Sequence, residues 1–139
     1  MVVVLDASVA VAWAMEDEVS PVADAALALV SKQEGIVPAL WPWEVGNALV
    51  ANWRRKRLSI YAVRQALDFI ATLPINRDED TSTRAWGSTL ALAERLGLSL
   101  YDAAYLDLAK RRGLPLATLD EALRKAAVAE GIVLLGEAA

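Results

Sequence analysis

The chain has 139 residues, of which 56% are hydrophobic, and its 14 Lys and Arg against 18 Asp and Glu give a net charge of −4, with neither Cys nor His. This length predicts one domain with a single core, and the lack of Cys excludes disulfides, a thiolate nucleophile and a zinc–thiolate site. The lack of His removes the usual general base and the usual transition-metal ligand, so any catalysis must use carboxylates, hydroxyls, Lys, Arg and hard metal ions.

The sequence contains no pattern of a membrane span or of a secretion signal. No uncharged run exceeds nine residues, whereas a transmembrane helix needs about 20 apolar residues. Residues 1–15 have no basic region and contain Asp6, which disfavours a signal peptide. We therefore expect a cytoplasmic protein in which residues 1–139 form a single domain.

Short apolar runs alternate with helical patterns in the first half of the chain. Val2–Leu5 is β-branched and ends at Asp6, as expected for a buried strand. Ser20 as N-cap and Pro21 at the first helical position mark a helix start. The predicted elements after this strand are a helix from Ser20 to Gly35, a strand over residues 36–38, a helix from Pro42 to about Arg57, a helix from Ser59 to about Leu73 and a strand over residues 73–75.

The second half continues the same alternation. Gly97 and Gly113 provide helix ends, and Ser99 with Asp102 forms a capping box. The predicted elements are a helix from Thr81 or Ser82 to Leu96, a helix from Ser99 to Gly113, a strand over residues 114–118, a helix from Asp120 to Glu130 and a strand over residues 132–135. This order predicts a parallel, doubly wound α/β sheet.

Four acidic residues lie at strand ends or helix starts, on four separate segments. Asp6 ends the first strand, and Asp120 follows a later one. Glu44 and Asp102 lie in the first turns of helices, where the helix dipole favours negative charge. Sites in open parallel sheets lie beyond the carboxyl ends of the strands, so these four acids are expected to converge.

Each acid also has a structural explanation. A capping box accounts for Asp102, and an N-cap accounts for Asp120. Asp6 is harder to explain in this way because it directly follows a buried strand. Glu44 is the hardest, since its neighbours are apolar and the residue at i+4 is Ala48 rather than a base.

Other acids are predicted to be solvated. Asp107 has Arg111 four residues later, which predicts an exposed pair on a helix. The acidic runs at residues 16–18 and 78–80 lie in predicted loops. These residues are therefore expected at the surface, away from any site.

Convergence of the four acids would require a source of positive charge. Two carboxylates about 4 Å apart repel by roughly 4 kcal/mol at an effective dielectric constant of about 20. Proton sharing or a divalent metal relieves this repulsion, and an all-oxygen site suits Mg²⁺ or Mn²⁺. We expect the charge of Glu44 to be held by a metal or a metal-bound water, and not by a side chain.

Three segments carry a family resemblance: VVVLDASVAVAW, PALWPWEVGNAL and LSLYDAAYLDLAKRRGLPLATLDEAL. Together, and in this order, they resemble PIN-domain ribonucleases, especially the VapC-type toxins of bacterial toxin–antitoxin pairs. The resemblance covers essentially the whole chain. It implies a PIN-like three-layer α/β/α domain with a short parallel sheet.

The resemblance also implies the site and its chemistry, which is metal-dependent hydrolysis of RNA phosphodiesters with Mg²⁺ or Mn²⁺. Its supporting hydroxyls fall on Ser8 and Thr118. Its acidic residues, matched one by one, fall on Asp6, Glu44, Asp102 and Asp120.

We expect Asp6 and Asp102 to be the main metal ligands, together with Asp120. Glu44 is expected to ligate a second ion or to hold the water, and the number of ions stays open. Asn47 lies one turn after Glu44. It is either a supporting hydrogen-bond donor or an amide on the helix surface.

The implied partners are an RNA substrate, a cognate antitoxin and a second copy of the chain in a homodimer. The five tryptophans favour core or interface positions over base stacking. The negative net charge opposes RNA binding. The basic run from Trp53 to Arg57 either contacts phosphates or stabilises a helix end.

Other classes fit the sequence less well. A receiver-type signalling domain needs an acidic pair after the first strand, and a haloacid-dehalogenase-like phosphatase needs D-x-D there, whereas this chain has Asp6-Ala7-Ser8. A non-catalytic PIN-like domain would normally lack some of the acids. The main alternative to a toxin is a free-standing PIN nuclease in RNA processing or decay.

Overall fold

A sheet of four parallel strands, in the order β3–β2–β1–β4, forms the centre of the computed structural model, which describes residues 1–136. The strands are β1 (Val2–Leu5), β2 (Glu34–Val37), β3 (Ile75–Arg77) and β4 (Leu116–Ala117). The helices are α1 (Ala7–Ala14), α2 (Pro21–Lys32), α3 (Trp41–Arg54), α4 (Ile60–Ala71), α5 (Thr81–Arg84), α6 (Leu90–Leu96), α7 (Leu100–Arg112) and α8 (Glu121–Ala129).

Helices flank the sheet, as the sequence predicts for a three-layer α/β/α fold. Helix α1 packs against α2, α3 and α4, whereas α7 packs against α6, β1 and β4. Strand β1 lies at the centre, with Val3, Val4 and Leu5 fully buried. Burying this apolar strand between helices supplies the main stabilising free energy of such a sheet.

The strand order creates a switch point beside β1. The chain runs outward from β1 to β2 and β3, and then returns to place β4 on the other side of β1. The amide of Asp6 donates to the carbonyl of Ala117 at 2.9 Å, so the ends of β1 and β4 lie together. Ligands of open α/β sheets bind at such a point, beyond the carboxyl ends of the strands.

The sequence does not predict helix α1. Its segment, ASVAVAWA, is apolar almost throughout, so it shows no helical periodicity. In the structure, the helix follows Asp6 directly and is largely buried. It therefore fixes the direction in which the chain leaves the end of β1.

Gly35 is predicted to end a helix but lies inside β2. Helix α2 already ends at Lys32, three residues earlier. A Cβ atom at Gly35 would lie 2.8 Å from Cδ1 of Leu5. The lack of a side chain at Gly35 thus allows β2 to pack closely on β1. The prediction that Gly35 ends a helix is wrong.

The helix predicted from Thr81 or Ser82 to Leu96 is also incomplete. Five residues, Ala85–Thr89, form a π-helical turn between α5 and α6. Further on, the predicted strand over residues 132–135 is reduced, among the described residues, to a bridge between Leu134 and Leu116. Single-residue pairing of this kind extends the sheet beyond β4 without adding a full strand.

Asp107 does not form the predicted solvated pair with Arg111. Asp107 is buried and accepts from Nε of Arg84 at 2.7 Å. Arg111 instead donates to Asp78 at 2.6 Å, and Asp78 is buried as well. The prediction that residues 78–80 form a solvated acidic run is therefore wrong for Asp78, because helices α5 and α7 bring both cations to buried acids.

Within residues 1–136, none of the helices has both the length and the apolar character that a bilayer crossing requires.

Candidate active site

Asp6 is the most enclosed acid at the switch point. It is only 7% exposed, and its Oδ2 atom accepts from the hydroxyls of Ser8 at 2.6 Å and Thr118 at 2.8 Å. Thr118 is fully buried at the end of β4. Because both hydroxyls bind the same oxygen, they fix the carboxylate and leave Oδ1 for a further partner.

The two hydroxyls are themselves fixed by the loop that follows β4. Ser8 Oγ accepts from the amide of Leu119 at 3.0 Å, and Thr118 Oγ1 accepts from the amide of Asp120 at 3.1 Å. Each hydroxyl therefore accepts from a backbone amide and directs its single proton at Asp6. The structure places both predicted supporting hydroxyls beside the first acid.

Asp102 and Asp120 both lie at the starts of helices. The amide of Asp102 donates to Ser99 Oγ at 3.1 Å in the first turn of α7, which forms the predicted cap. Asp120 is the N-cap of α8, where its Oδ1 atom accepts from the amide of Leu123 at 3.0 Å. Helix capping therefore orients the carboxylate of Asp120 directly and fixes the helical turn that carries Asp102.

Glu44 has a side-chain partner that the sequence does not reveal. The hydroxyl of Tyr105 donates to Glu44 Oε1 at 2.5 Å, and Tyr105 is fully buried. The expectation that no side chain holds the charge of Glu44 is therefore wrong. Tyr105 follows Asp102 by three residues, and this i, i+3 spacing on one helix face is the signal that could have identified it.

The electrostatic coupling shows which acids come together. Burial raises the pKa of Glu44 above 4.5, the Tyr105 hydrogen bond opposes that rise, and the charges of Asp6 and Asp102 add to it. Burial likewise raises the pKa of Asp102 above 3.8, and the charges of Asp120 and Asp6 raise it further. Asp6 is thus close to Glu44 and Asp102, whereas Asp120 acts on Asp102.

The chemistry of this cluster suits a hard divalent cation, but its geometry is not a finished metal site. Carboxylates that raise one another's pKa are stabilised by a cation, and oxygen ligands are those that Mg²⁺ and Mn²⁺ prefer. Among residues 1–136, however, no group of three or more Asp or Glu side chains is arranged to hold a metal ion as it stands. The donor set therefore fits the ion in charge and atom type, and the ligands would have to draw closer.

Two further residues lie near these acids. Arg124 follows Asp120 by four residues and donates to the carbonyl of Thr118 at 2.8 Å, so a guanidinium lies at the end of β4. Arg124 is not among the site residues that the sequence predicts. Its i, i+4 spacing from Asp120 on a helix is the signal that could have identified it. Asn47 is exposed on α3, one turn beyond Glu44.

The predicted basic run lies at the opposite end of α3 from Glu44. Arg54 is ten residues after Glu44, which corresponds to about 15 Å along the helix. Arg57 forms an ion pair with Glu18 at 3.0 Å. These cations therefore do not border the acid cluster directly.

One of the comparisons with known proteins identifies a family. The sequence model of the PIN domain matches residues 3–129. A solved structure described as "Crystal Structure of PAE2754 from Pyrobaculum aerophilum" is similar, with 25% sequence identity, a TM-score of 0.65, and coverage of 89% of this chain and 83% of that one. No curated protein matches the chain.

Proposed function

The chain belongs to the PIN-domain family, a family of metal-dependent nucleases, and we propose that it is a ribonuclease acting as the toxin of a toxin–antitoxin pair. The observation that supports a catalytic site most directly is the coupling of one buried and two partly buried acids at the switch point. Asp6, directly after β1, acts electrostatically on Glu44 and Asp102, which come from two different helices. Acids that raise one another's pKa in this way are typical of functional sites, where a bound cation relieves their repulsion.

In this proposal Asp6, Asp102 and Asp120 hold Mg²⁺ or Mn²⁺, and Glu44 ligates an ion or orients water. When it is bound, a divalent ion supplies charge neutralisation to the phosphodiester and lowers the pKa of water. The protein's own contribution is orientation. Ser8 and Thr118 fix Asp6 by one oxygen.

The remaining acids are oriented from their helices. Tyr105 fixes one oxygen of Glu44, and Ser99 caps the turn that carries Asp102. Asn47 lies on the face of α3 next to Glu44, where an amide is suited to donate to substrate oxygens. These contacts hold the carboxylates against their mutual repulsion before substrate binds.

RNA is the proposed substrate despite the net charge of −4. Bound divalent ions reduce the negative charge at the site itself, where the scissile phosphate must approach. Arg54 ends α3 about 15 Å from Glu44 along the helix, and together with Arg55 and Lys56 it suits contact with a flanking phosphate, whereas Arg57 is paired with Glu18. Removal of the first three of these cations is expected to weaken RNA binding without changing the chemistry at the acids.

The proposal includes a homodimer and an antitoxin as partners. Trp43 and Trp86 are more than 80% exposed, and Tyr101 is also exposed. Exposed aromatic side chains of this size are typical of protein interfaces. Trp43 and Tyr101 directly precede Glu44 and Asp102 in the sequence, so a partner on this surface would lie beside the acid cluster.

The experiment that tests the nuclease incubates the purified protein with RNA and DNA oligonucleotides of the same sequence, with Mg²⁺, Mn²⁺ or a chelator. We expect the RNA to be cleaved and the DNA to stay intact, and we expect cleavage only when metal is present. Asp6→Asn should remove this cleavage, whereas Asp68→Asn, at an exposed acid on α4, should retain it. Metal-independent cleavage, or equal cleavage by Asp6→Asn, would contradict the proposal.

Expression in a bacterial host separates a toxin from a free-standing processing nuclease. A toxin should arrest growth when it is expressed alone, and Asp102→Asn should relieve the arrest at equal soluble abundance. An adjacent gene for a small DNA-binding protein that restores growth would identify the antitoxin. Accumulation of active protein without growth arrest would favour the RNA-processing alternative.

A further inference from the structure

Tyr105 connects three of the segments that form the acid cluster. It lies on α7 one turn after Asp102, and its side chain is fully buried beneath the site. Its hydroxyl donates to Oε1 of Glu44, on α3, at 2.5 Å. The backbone of Ala7, at the start of α1, lies close to the same hydroxyl.

The contact with Glu44 determines the direction of the phenolic proton. An ionised carboxylate can only accept, so the hydroxyl of Tyr105 is the donor in this bond. The hydroxyl has one proton, and that proton is directed at Glu44. Because the ring is enclosed in the core, the phenolic oxygen cannot move away from Glu44 without repacking of the surrounding residues.

Glu44 needs such a restraint. The charges of Asp6 and Asp102 both act against its own, and the neighbouring Trp43 is exposed, so solvent lies close to this turn of α3. An unrestrained glutamate would move its carboxylate away from the other acids, since three rotatable bonds allow it. The bond to Tyr105 keeps the carboxylate at the cluster.

We propose that Tyr105 is a positioning residue for the nuclease reaction. It holds Glu44 by Oε1 and leaves Oε2 as the oxygen available to bind the ion or the water. This inference rests on the proposed function. It deepens that function because it assigns Glu44 one available oxygen, which is expected of a residue that orients water or ligates an ion through one atom. Tyr105 acts only through Glu44 and does not itself touch substrate.

The test compares Mn²⁺ binding, by titration calorimetry, with RNA cleavage for four proteins: wild type, Tyr105→Phe, Glu44→Gln and the double variant. Residues that orient metal ligands typically contribute about 10- to 100-fold to affinity or activity. We expect Tyr105→Phe to lower kcat by about that factor with KM for RNA nearly unchanged, and to weaken Mn²⁺ binding where Glu44 is a ligand. Tyr61→Phe, at an exposed tyrosine on α4, is the matched control and should behave as wild type.

The double variant distinguishes positioning from simple packing. If Tyr105 acts through Glu44, Tyr105→Phe should have no further effect on Mn²⁺ binding, or on any residual kcat, in the Glu44→Gln background. An equal loss in both backgrounds, or a Tyr105→Phe protein that matches wild type in cleavage and binding, would overturn the inference. If Tyr105→Phe does not fold, Glu44→Asp withdraws the carboxylate from the phenol by one methylene without altering the core, and full activity in that variant overturns the inference as well.

Measurements on the wild-type protein distinguish failure of the proposed function from failure of the inference about Tyr105. A wild type that neither binds Mn²⁺ nor cleaves RNA would overturn the proposed function, and the inference with it. A wild type that does both, together with an unaffected Tyr105→Phe, would overturn only the inference about Tyr105.

Discussion

Asp102 and Asp107 lie five residues apart on helix α7, yet their surroundings affect them in opposite ways. Burial raises the pKa of Asp102, and the charges of Asp120 and Asp6 raise it further. Burial also disfavours the charged form of Asp107, but the hydrogen bond and the charge of Arg84, with the charge of Arg111, outweigh it and hold the pKa below 3.8. One acid faces like charges and the other faces cations.

This difference separates a structural acid from a candidate catalytic acid. The pair of Asp107 and Arg84 joins α7 to α5, and the pair of Asp78 and Arg111 joins the end of β3 to α7. Both acids are therefore neutralised by cations of the protein itself. The cluster around Asp102 is left with excess negative charge, which is characteristic of a site that binds a cation.

The largest expected effect is on catalysis. Asp102→Asn should lower the rate of RNA cleavage by about 100-fold or more, because losing a main ligand removes several kcal/mol of transition-state stabilisation. Asp107→Asn should retain the wild-type rate per folded molecule. Initial rates at saturating Mn²⁺, normalised to folded protein, measure both, and equal losses in the two variants would contradict the comparison.

The next effect is on stability and has the opposite pattern. Asp107→Asn should lower the free energy of unfolding by about 2 kcal/mol, since it leaves Arg84 with a weakened hydrogen-bond partner. Asp102→Asn should leave the metal-free protein at least as stable as wild type, apart from a capping contribution of about 1 kcal/mol or less. Urea unfolding in a chelator measures both variants, and a large loss for Asp102→Asn alone would reverse the assignment.

The two acids should also give opposite pH dependences in metal-free protein. The folded pKa of Asp102 is raised, so its contribution to stability is present below pH 3.8 and is lost as pH rises through the folded pKa. The folded pKa of Asp107 is lowered, so its contribution is present above pH 3.8 and is lost as pH falls through the folded pKa. Relative to wild type, Asp102→Asn should therefore gain stability, and Asp107→Asn should lose it, as pH rises from acid to neutral; parallel curves would contradict this.

The smallest expected effect on stability is that of a substitution at Glu44. Glu44→Gln keeps an oxygen that can accept from Tyr105 but removes a charge that Asp6 and Asp102 repel. Without metal, the free energy of unfolding of this variant should equal that of wild type or exceed it by less than about 1 kcal/mol. RNA cleavage should be lost. Unchanged cleavage would remove Glu44 from the mechanism, and a clear loss of stability would show that its charge is stabilising.

The sequence predicts the parts of the fold that depend on local pattern. The β-branched run at residues 2–5, the caps at Ser20 and Ser59, and the glycines after α6 and α7 mark elements that the structure contains. Asp6 is a candidate for the same reason, because it follows a buried strand. Helix α1 escapes prediction, since an all-apolar segment gives no period to detect.

Contacts between distant segments could not be predicted in this way. Tyr105 and Glu44 are 61 residues apart, and no local rule links them. For Asp107 the local rule offers Arg111, but the position of α5 brings Arg84 closer. Tertiary packing therefore determines which acids are neutralised. This is why Asp102 and Asp107 differ although they lie on the same helix.

The central claim is that Asp6, Glu44, Asp102 and Asp120 form one metal site. The most direct test is the melting temperature of wild type, Asp102→Asn and Asp107→Asn, with a chelator and with Mn²⁺ at 100 times its Kd for the wild type. Selective binding to the folded state at that concentration stabilises by about 2.7 kcal/mol, which corresponds to a rise of about 8 °C for a domain of this size. Wild type and Asp107→Asn should show this rise and Asp102→Asn should lose most of it; a wild-type melting temperature indifferent to Mn²⁺, or an equal rise in all three proteins, would contradict the site.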